Sequence, residues 1–436
     1  MKRSVFLILT PLAICLLFLS SCIQDNCSEL RTYYEYQPVY ESMNDLRDQV
    51  GVATAQELKM PGKIYFYGQY ILINEVGKGY HVIDNTDPKN PSNIAFIEVP
   101  GARDMAVKGN MLFADSYLDL VVIDINNPQS ATEVSRRMNV FEYGSYHPGL
   151  WADESQGIAT DWVETRLQEE FDCGFNNWGR NRFVDFVSND VAILSSNSEF
   201  ASPSVASGSD LQTGVGGSMA RFTLVNDYLY AVTNTNLIPF DISTLTEPVS
   251  QSPINVGWNI ETIFPMKDHL FIGSQTGMFV YNLVNPNQPS FVSEFQHVRS
   301  CDPVVVEGDY AFVTLRNGNG ETACGGFANE LSVVDISNLS SPFSAFRYDM
   351  HNPHGLGIKD GILFICDGED GLKVFDASDV SKIHQNQLAH FPGIHAFDVI
   401  PLTTILLMIG DDGFYQYDYS DLNDIHQISK IPVVMD

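Results

Sequence analysis

A short apolar line ending in an acid or an amide occurs seven times in the chain. It reads Gly79-Tyr80-His81-Val82-Ile83-Asp84, then Asp119-Leu120-Val121-Val122-Ile123-Asp124 and Asn236-Leu237-Ile238-Pro239-Phe240-Asp241. Four further copies end at Asn282, Asp335, Asp376 and Asp418. Successive ends are 40, 117, 41, 53, 41 and 42 residues apart. A unit of about 40 residues with short strands and turn residues is a propeller blade, which buries its faces only against neighbouring copies. The two long intervals mark insertions.

Each copy parses into four strands, inner A to outer D. In the second, Asp104–Lys108 is A, Met111–Asp115 is B, Leu120–Ile125 is C, and residues 131–140 hold D. Gly109-Asn110 and Asn226-Asp227 are hairpin turns between A and B, with Asp309 and Asp360-Gly361 in similar places. The C strands are apolar on both faces, as a sheet packed between two others must be. The acid closing each C strand, often followed by Asn or Ser and then Pro, is turn chemistry rather than catalysis, since nearly every copy has one. The predicted fold is all-β: a seven-bladed β-propeller of four-stranded blades over 60–436, with a long insertion, 141–217, between blades 2 and 3. Residues 22–59 form a tether, in which the Tyr-rich Thr32–Tyr40 is a candidate strand for closing the ring beside Ile425–Val434.

The Leu-Val-Val-Ile-Asp and Leu-Ser-Val-Val-Asp lines resemble the LVIVD repeat family, propeller-like repeats of exported bacterial proteins. The resemblance spans residues 60–432 and implies a propeller, but no common activity. Asn282 and the polar Gln416 depart from the pattern in their copies.

The first 22 residues carry Lys2 and Arg3, an apolar run from Val5 to Leu19, and Ser20-Ser21-Cys22. That is a secretory signal, 1–21, and its end resembles a lipobox. The resemblance implies cleavage before Cys22 and lipid on its thiol, with acyl chains contributing about 0.8 kcal/mol per buried CH₂. The expected location is the bacterial cell envelope, anchored to a membrane and most simply the outer one. The net charge is −30, with 54 acids against 24 bases. Loss of Lys2 and Arg3 with the signal takes it to −32. Such a surface repels nucleic acid.

D–A and B–C loops emerge on one face of a propeller. The long insertion and a shorter one in blade 5, Arg316–Asn329, are therefore expected at the same mouth of the channel. Residues 141–185 hold Trp151, Trp162 and Trp178, which suit a small satellite core or a binding platform. Residues 196–217 are rich in Ser and Gly and read as flexible. Aligning the starts of the A strands places Gly62, Arg103, Ala220 with Arg221, Glu261, Asp302, His354 and His395 around this mouth. Asp367 lies in a second ring, where B strands end, with Asp115, Asn234, Gln275 and Asp411. The two histidines and nearby carboxylates would hold a divalent metal, zinc or calcium, if they converged; otherwise they form a hydrated rim. No cofactor is otherwise expected. Cys301 and Cys324 are a candidate disulfide in an export compartment, with Cys173 an alternative partner for either of them or for Cys366. No nucleophile elbow, P-loop or dinucleotide fingerprint is present. The residues therefore favour a binding or scaffold module for a protein or glycan partner. The alternative is a hydrolase or lyase at the mouth, using His354, His395 and a carboxylate among Glu261, Asp302 and Asp367.

Overall fold

The structure, a computed structural model, describes residues 28–141, 152–153, 156–172, 213–297, 303–317 and 328–434. The chain divides into two compact units. Among the described residues, those within 40–159 and 193–436 form the larger, and those within 1–39 and 160–192 form the smaller.

The larger unit is a seven-bladed propeller. The inner A strands are Pro61–Tyr67, Met105–Lys108, Phe222–Val225, Ile260–Met266, Val304–Glu307, Leu356–Lys359 and Ala396–Pro401. Each is followed by its own B, C and D strands in antiparallel order. In blade 2 these are Met111–Ser116, Asp119–Asp124 and Thr132–Arg137, close to the ranges read from sequence. In blade 3 the D strand is broken into Val249–Ser250 and Ile254–Asn255.

Alternation along each strand makes the core. Leu112, Ala114, Val121 and Ile123 of blade 2 pack with Leu72, Val82 and Ile97 of blade 1. Their neighbours Phe113, Leu120 and Val122 point the other way, onto Phe222, Leu229 and Phe240 of blade 3. Successive strand residues face opposite sides, so a strand apolar at every position fills two seams at once. Each fully buried Val, Leu or Phe contributes about 1.5–3 kcal/mol.

The recurring C-strand acid is a turn residue. Oδ1 of Asp84, Asp124, Asp241, Asp335, Asp376 and Asp418 accepts the backbone N–H two residues on, at 2.8–2.9 Å. Asn282 does the same for Val284 at 3.3 Å, so its departure from the pattern keeps the function. The A–B turns use positive φ at Gly109, Asn226 and Asp360, as the hairpin geometry demands.

Closure differs from the sequence expectation. The Tyr-rich segment does not complete blade 7, whose D strand is His426–Pro432 of its own repeat. Instead Ser28–Glu41 pairs in a separate three-stranded sheet with Gly157–Asp172, and Tyr36 donates to Glu164 at 2.9 Å. The ring is joined by Leu58, bridged in parallel to Val433, and by a pair of amides. Gln416 Nε2 donates to Asn85 Oδ1 at 2.8 Å and Asn85 Nδ2 to Gln416 Oε1 at 3.0 Å. Gln416 is fully buried. The polar departure in the last repeat is thus a clasp between the last blade and the first.

The end of the long insertion is also not where sequence alone placed it. Val215–Gly216 adds to the inner edge of blade 1, antiparallel to Phe66 and Tyr65. Thr213 bridges Lys108, the last residue of its A strand, and Gly214 N–H donates to Val107 O at 3.0 Å. Residues 213–217 therefore enter at the A–B hairpin end and run along the axis. Of the rest of the insertion, residues 142–151, 154–155 and 173–212 lie outside the described residues, Trp151 and Trp178 among them.

Candidate functional site

The A-strand residues that stand level with one another at the top of the channel are Lys63, Asp104, Arg221, Thr262, Pro303, Gly355 and Asp398. This ring is one residue beyond the one aligned from sequence in most blades. Irregular pairing between Pro61 and Ile64 shifts blade 1, and one between Ala396 and Asp398 shifts blade 7. Such bulges add a residue without changing the repeat length visibly.

Four members of this ring are charged types, and the axial segment packs among them. Lys63 pairs with Asp104, whose Oδ2 also accepts the Arg221 N–H. Burial pushes both members of the pair toward their neutral forms, raising Asp104 and lowering Lys63, against the attraction between them. Asp115 Oδ1 accepts the N–H groups of Arg103 and Asp104 at 2.9 and 2.6 Å, and burial raises its carboxyl to about 6. On blade 7, Asp398 Oδ1 accepts Ser218 N–H at 2.9 Å and its hydroxyl at 3.2 Å. Ser218 Oγ in turn accepts Leu356 N–H at 2.6 Å. Asp398 Oδ2 is buried without a hydrogen-bond partner, and burial raises this carboxyl to about 8.

Two glycines make that approach possible. A Cβ on Gly217 would stand 1.9 Å from Asp398 Oδ2, and one on Gly355 2.4 Å from Oδ1. Ala220 O accepts Ile263 N–H of blade 4 at 2.9 Å, completing the crossing. Residues 213–221 thus touch blades 1, 2, 4, 6 and 7, and Ser218, Met219 and Ala220 are buried. The channel is filled by the chain itself.

Polar groups outside the filled channel form a rim. His354 and His395 do meet, with ring centroids 5.6 Å apart, and both lie against Phe397. His354 is buried, and desolvation, then Arg316 and His395, hold its imidazole well below the usual range. His354 is therefore neutral at pH 7. His395 Nδ1 lies 2.5 Å from Asp411 Oδ2, and its Nε2 has no hydrogen-bond partner. Burial lowers Arg316 to about 10.

The other predicted residues separate. Asp367 is fully buried and used by its own loop: it accepts His351 N–H and Asn352 N–H at 3.0 and 2.8 Å, and Lys373 Nζ at 2.6 Å. Glu261 Oε1 accepts Gln275 Nε2 at 2.8 Å, and Gln275 Oε1 accepts Asn259 Nδ2 at 3.1 Å. Arg221 Nη2 reaches Asn234 Oδ1 at 3.2 Å and Ile260 O at 3.1 Å. Asp302 lies outside the described residues, as do Cys22, Cys301 and Cys324, so the candidate disulfide falls there too. Cys173 does likewise, while Cys366 is a buried free thiol whose acidity burial suppresses. Among the described residues, no three His, Cys, Asp or Glu side chains stand close enough to hold a metal ion.

Sequence reasoning missed Lys63 and Asp104, where the alignment stopped one residue short of the inward-facing position, and Asp398, which the blade 7 bulge displaced further. It also missed Trp258, 79% exposed on the D–A loop between blades 3 and 4. Trp258 is the one tryptophan outside the insertion. An unpaired aromatic between Gly257 and Asn259 was the available signal.

The LVIVD repeat model matches residues 101–139 and 320–350, which fall in repeats 2 and 5. No curated protein matches the chain. Among solved structures, a protein from Lactobacillus plantarum aligns with TM-score 0.51 at 11% identity, over 86% of this chain and 97% of that one. The computationally designed Ika8 protein aligns with TM-score 0.47 at 9% identity, over 87% and 91%. A functionally unknown protein from Desulfotomaculum acetoxidans gives 0.47 at 10%, over 86% and 100%. At these identities the likeness is one of fold alone. The chain carries LVIVD repeats at residues 101–139 and 320–350 and folds as a seven-bladed β-propeller.

Proposed function

We propose that this propeller is an exported, lipid-anchored module of the bacterial cell envelope that binds a protein or glycan partner through its rim. One observation carries the placement of the binding surface: residues 213–221 occupy the axis, and Asp398 and Asp104 are engaged by that segment. A ligand thus meets the loops around the mouth rather than a tunnel. Rigid blades holding loops on one face are a common basis for recognition. Lys2, Arg3, the apolar run and Cys22 support export and anchoring, and the net charge of −30 argues against a nucleic-acid partner.

Photo-crosslinkers at Thr276 and Asp412, both in B–C loops of the rim, should trap an envelope component, whereas one at Phe343 on the opposite, outer edge should not. Equal trapping at all three positions would remove the rim from the reading. Metabolic labelling with an alkyne fatty acid should mark the wild type and spare Cys22→Ala; label retained in the variant would exclude the anchor.

The His395–Asp411 contact favours one second reading, a hydrolase or lyase. A carboxylate holding Nδ1–H leaves Nε2 as the basic atom, which is buried and which a substrate reaches only by displacing its cover. Turnover of an ester or glycoside panel, lost in His395→Ala, would support it; activity equal in the variant would refute it.

A further inference from the structure

The rim between blades 3 and 4 carries an aromatic surface on a fixed turn beside a network of planar polar side chains. Trp258 is 79% exposed, while Val256 N–H before it donates to Thr235 O at 2.9 Å. After it, Ile260 N–H donates to Asn234 O at 3.0 Å, and Asn259 O accepts Gln275 N–H at 3.1 Å. Asn259 holds φ +52°, a conformation Asn tolerates better than most residues, and it turns the chain so that the indole projects. The turn is thus pinned on both sides of a large side chain that stays mostly in water. Leaving an aromatic of this size in water forgoes a large burial gain.

Next to it the groups are already oriented by one another. Asn259 donates to Gln275, Gln275 to Glu261, and Arg221 to Asn234. Gln275 is only 5% exposed, so its amide is held in place before any ligand arrives. Amides, a carboxylate and a guanidinium each have several hydrogen-bonding sites. Polar groups fixed on and around the turn that carries an exposed aromatic suit a pyranose, whose C–H face is apolar and whose hydroxyls ring its edge. Pre-organisation reduces the entropy lost on binding. The net charge of −30 selects against an anionic chain.

We infer that Trp258, with the Asn259–Gln275–Glu261 and Arg221–Asn234 pairs, forms a binding site for a neutral glycan. The inference rests on the rim-binding reading above and narrows its partner. It is tested with the full chain in mild detergent, by electrophoresis through native gels containing mixed-linkage β-glucan, xylan or mannan, with alginate as the anionic comparison. At least one neutral polysaccharide should retard the wild type. Trp258→Ala should weaken that retardation at least about tenfold, Trp258→Phe should restore part of it, and both should melt as the wild type does. Gln275→Ala should weaken it less. Retardation by none of the three, by alginate alone, or equally in Trp258→Ala would overturn the inference. If the rim crosslinkers trap a protein while no neutral polysaccharide binds, the glycan site falls and the rim-binding reading stands. If neither occurs, both fall.

Discussion

The seven level positions at the top of the channel divide into two arcs. Blades 7, 1, 2 and 3 supply Asp398, Lys63, Asp104 and Arg221, whereas blades 4, 5 and 6 supply Thr262, Pro303 and Gly355. The scaffold is the same in both. The charged arc is the one that receives the axial segment by side chain, through Ser218 on Asp398 and the Arg221 N–H on Asp104. The neutral arc meets it through backbone, with Ile263 N–H on Ala220 O and Leu356 N–H on Ser218 Oγ. Buried backbone of an irregular segment must find partners for its polar groups. Carboxylates facing the axis provide them where no strand edge can.

Substitutions in the two arcs should therefore behave unlike one another. The largest effect is expected at Asp104→Ala, which strands the buried Lys63 ammonium and the Arg221 N–H. A loss of about 3–5 kcal/mol is predicted from urea unfolding, as for other buried pairs cut on one side. Gly217→Ala comes next. Its Cβ would collide with Asp398, so about 1–3 kcal/mol is expected from forced repacking. A comparable loss, also about 1–3 kcal/mol, should follow Gln416→Leu, because Asn85 would be left buried with an unsatisfied amide. This variant separates the clasp from the axis, since it should leave the protection of residues 213–221 unchanged below the melting point. Pro303→Ala in the neutral arc should cost only about 0.4–1 kcal/mol, through the entropy of the unfolded chain. A loss there as large as at Asp104 would erase the distinction between the arcs.

Asp398 adds a pH dependence. Its folded carboxyl is raised to about 8, above the usual value of 3.8. The folded state then binds the proton more tightly than the unfolded one. That contribution is fully present below about pH 4 and is lost as pH rises toward 8. Asp398→Asn should flatten this stretch of the stability profile and gain on the wild type at pH 8. An unchanged slope in the variant would place the titration elsewhere.

How much of this was visible in the residues depends on what each signal measures. Blade number, strand order and the Asx turns follow from side-chain alternation and from a turn acid at fixed spacing. Both are local properties, so Asp84 and its six counterparts could be read directly. Lys63, Asp104 and Asp398 could not: the alignment stopped one residue short of the inward-facing position in blades 1 and 2, and in blade 7 a bulge displaces it further and leaves no mark on the repeat. Gln416 looked like a weakened copy, since its amide partner, Asn85, lies at the other end of the propeller sequence. Gly214, Gly216 and Gly217 read as part of a flexible tract by composition. Small residues equally allow close backbone approach, and here Gly217 lies against a buried carboxyl. The rim followed the same division. His354 and His395, aligned to one ring from sequence, have ring centroids 5.6 Å apart, while Asp367 is committed to the turn at His351 and Asn352.

The filling of the channel by residues 213–221 is best tested by hydrogen exchange of the intact protein, comparing the amides of Gly217, Ser218 and Arg221 with those of the inner strands Pro61–Tyr67 and Met105–Lys108. Exchange as slow as in those strands, limited by opening of the propeller, is the predicted result. Exchange of the segment within seconds, while the inner strands stay protected, would contradict it and return the channel to the list of binding sites.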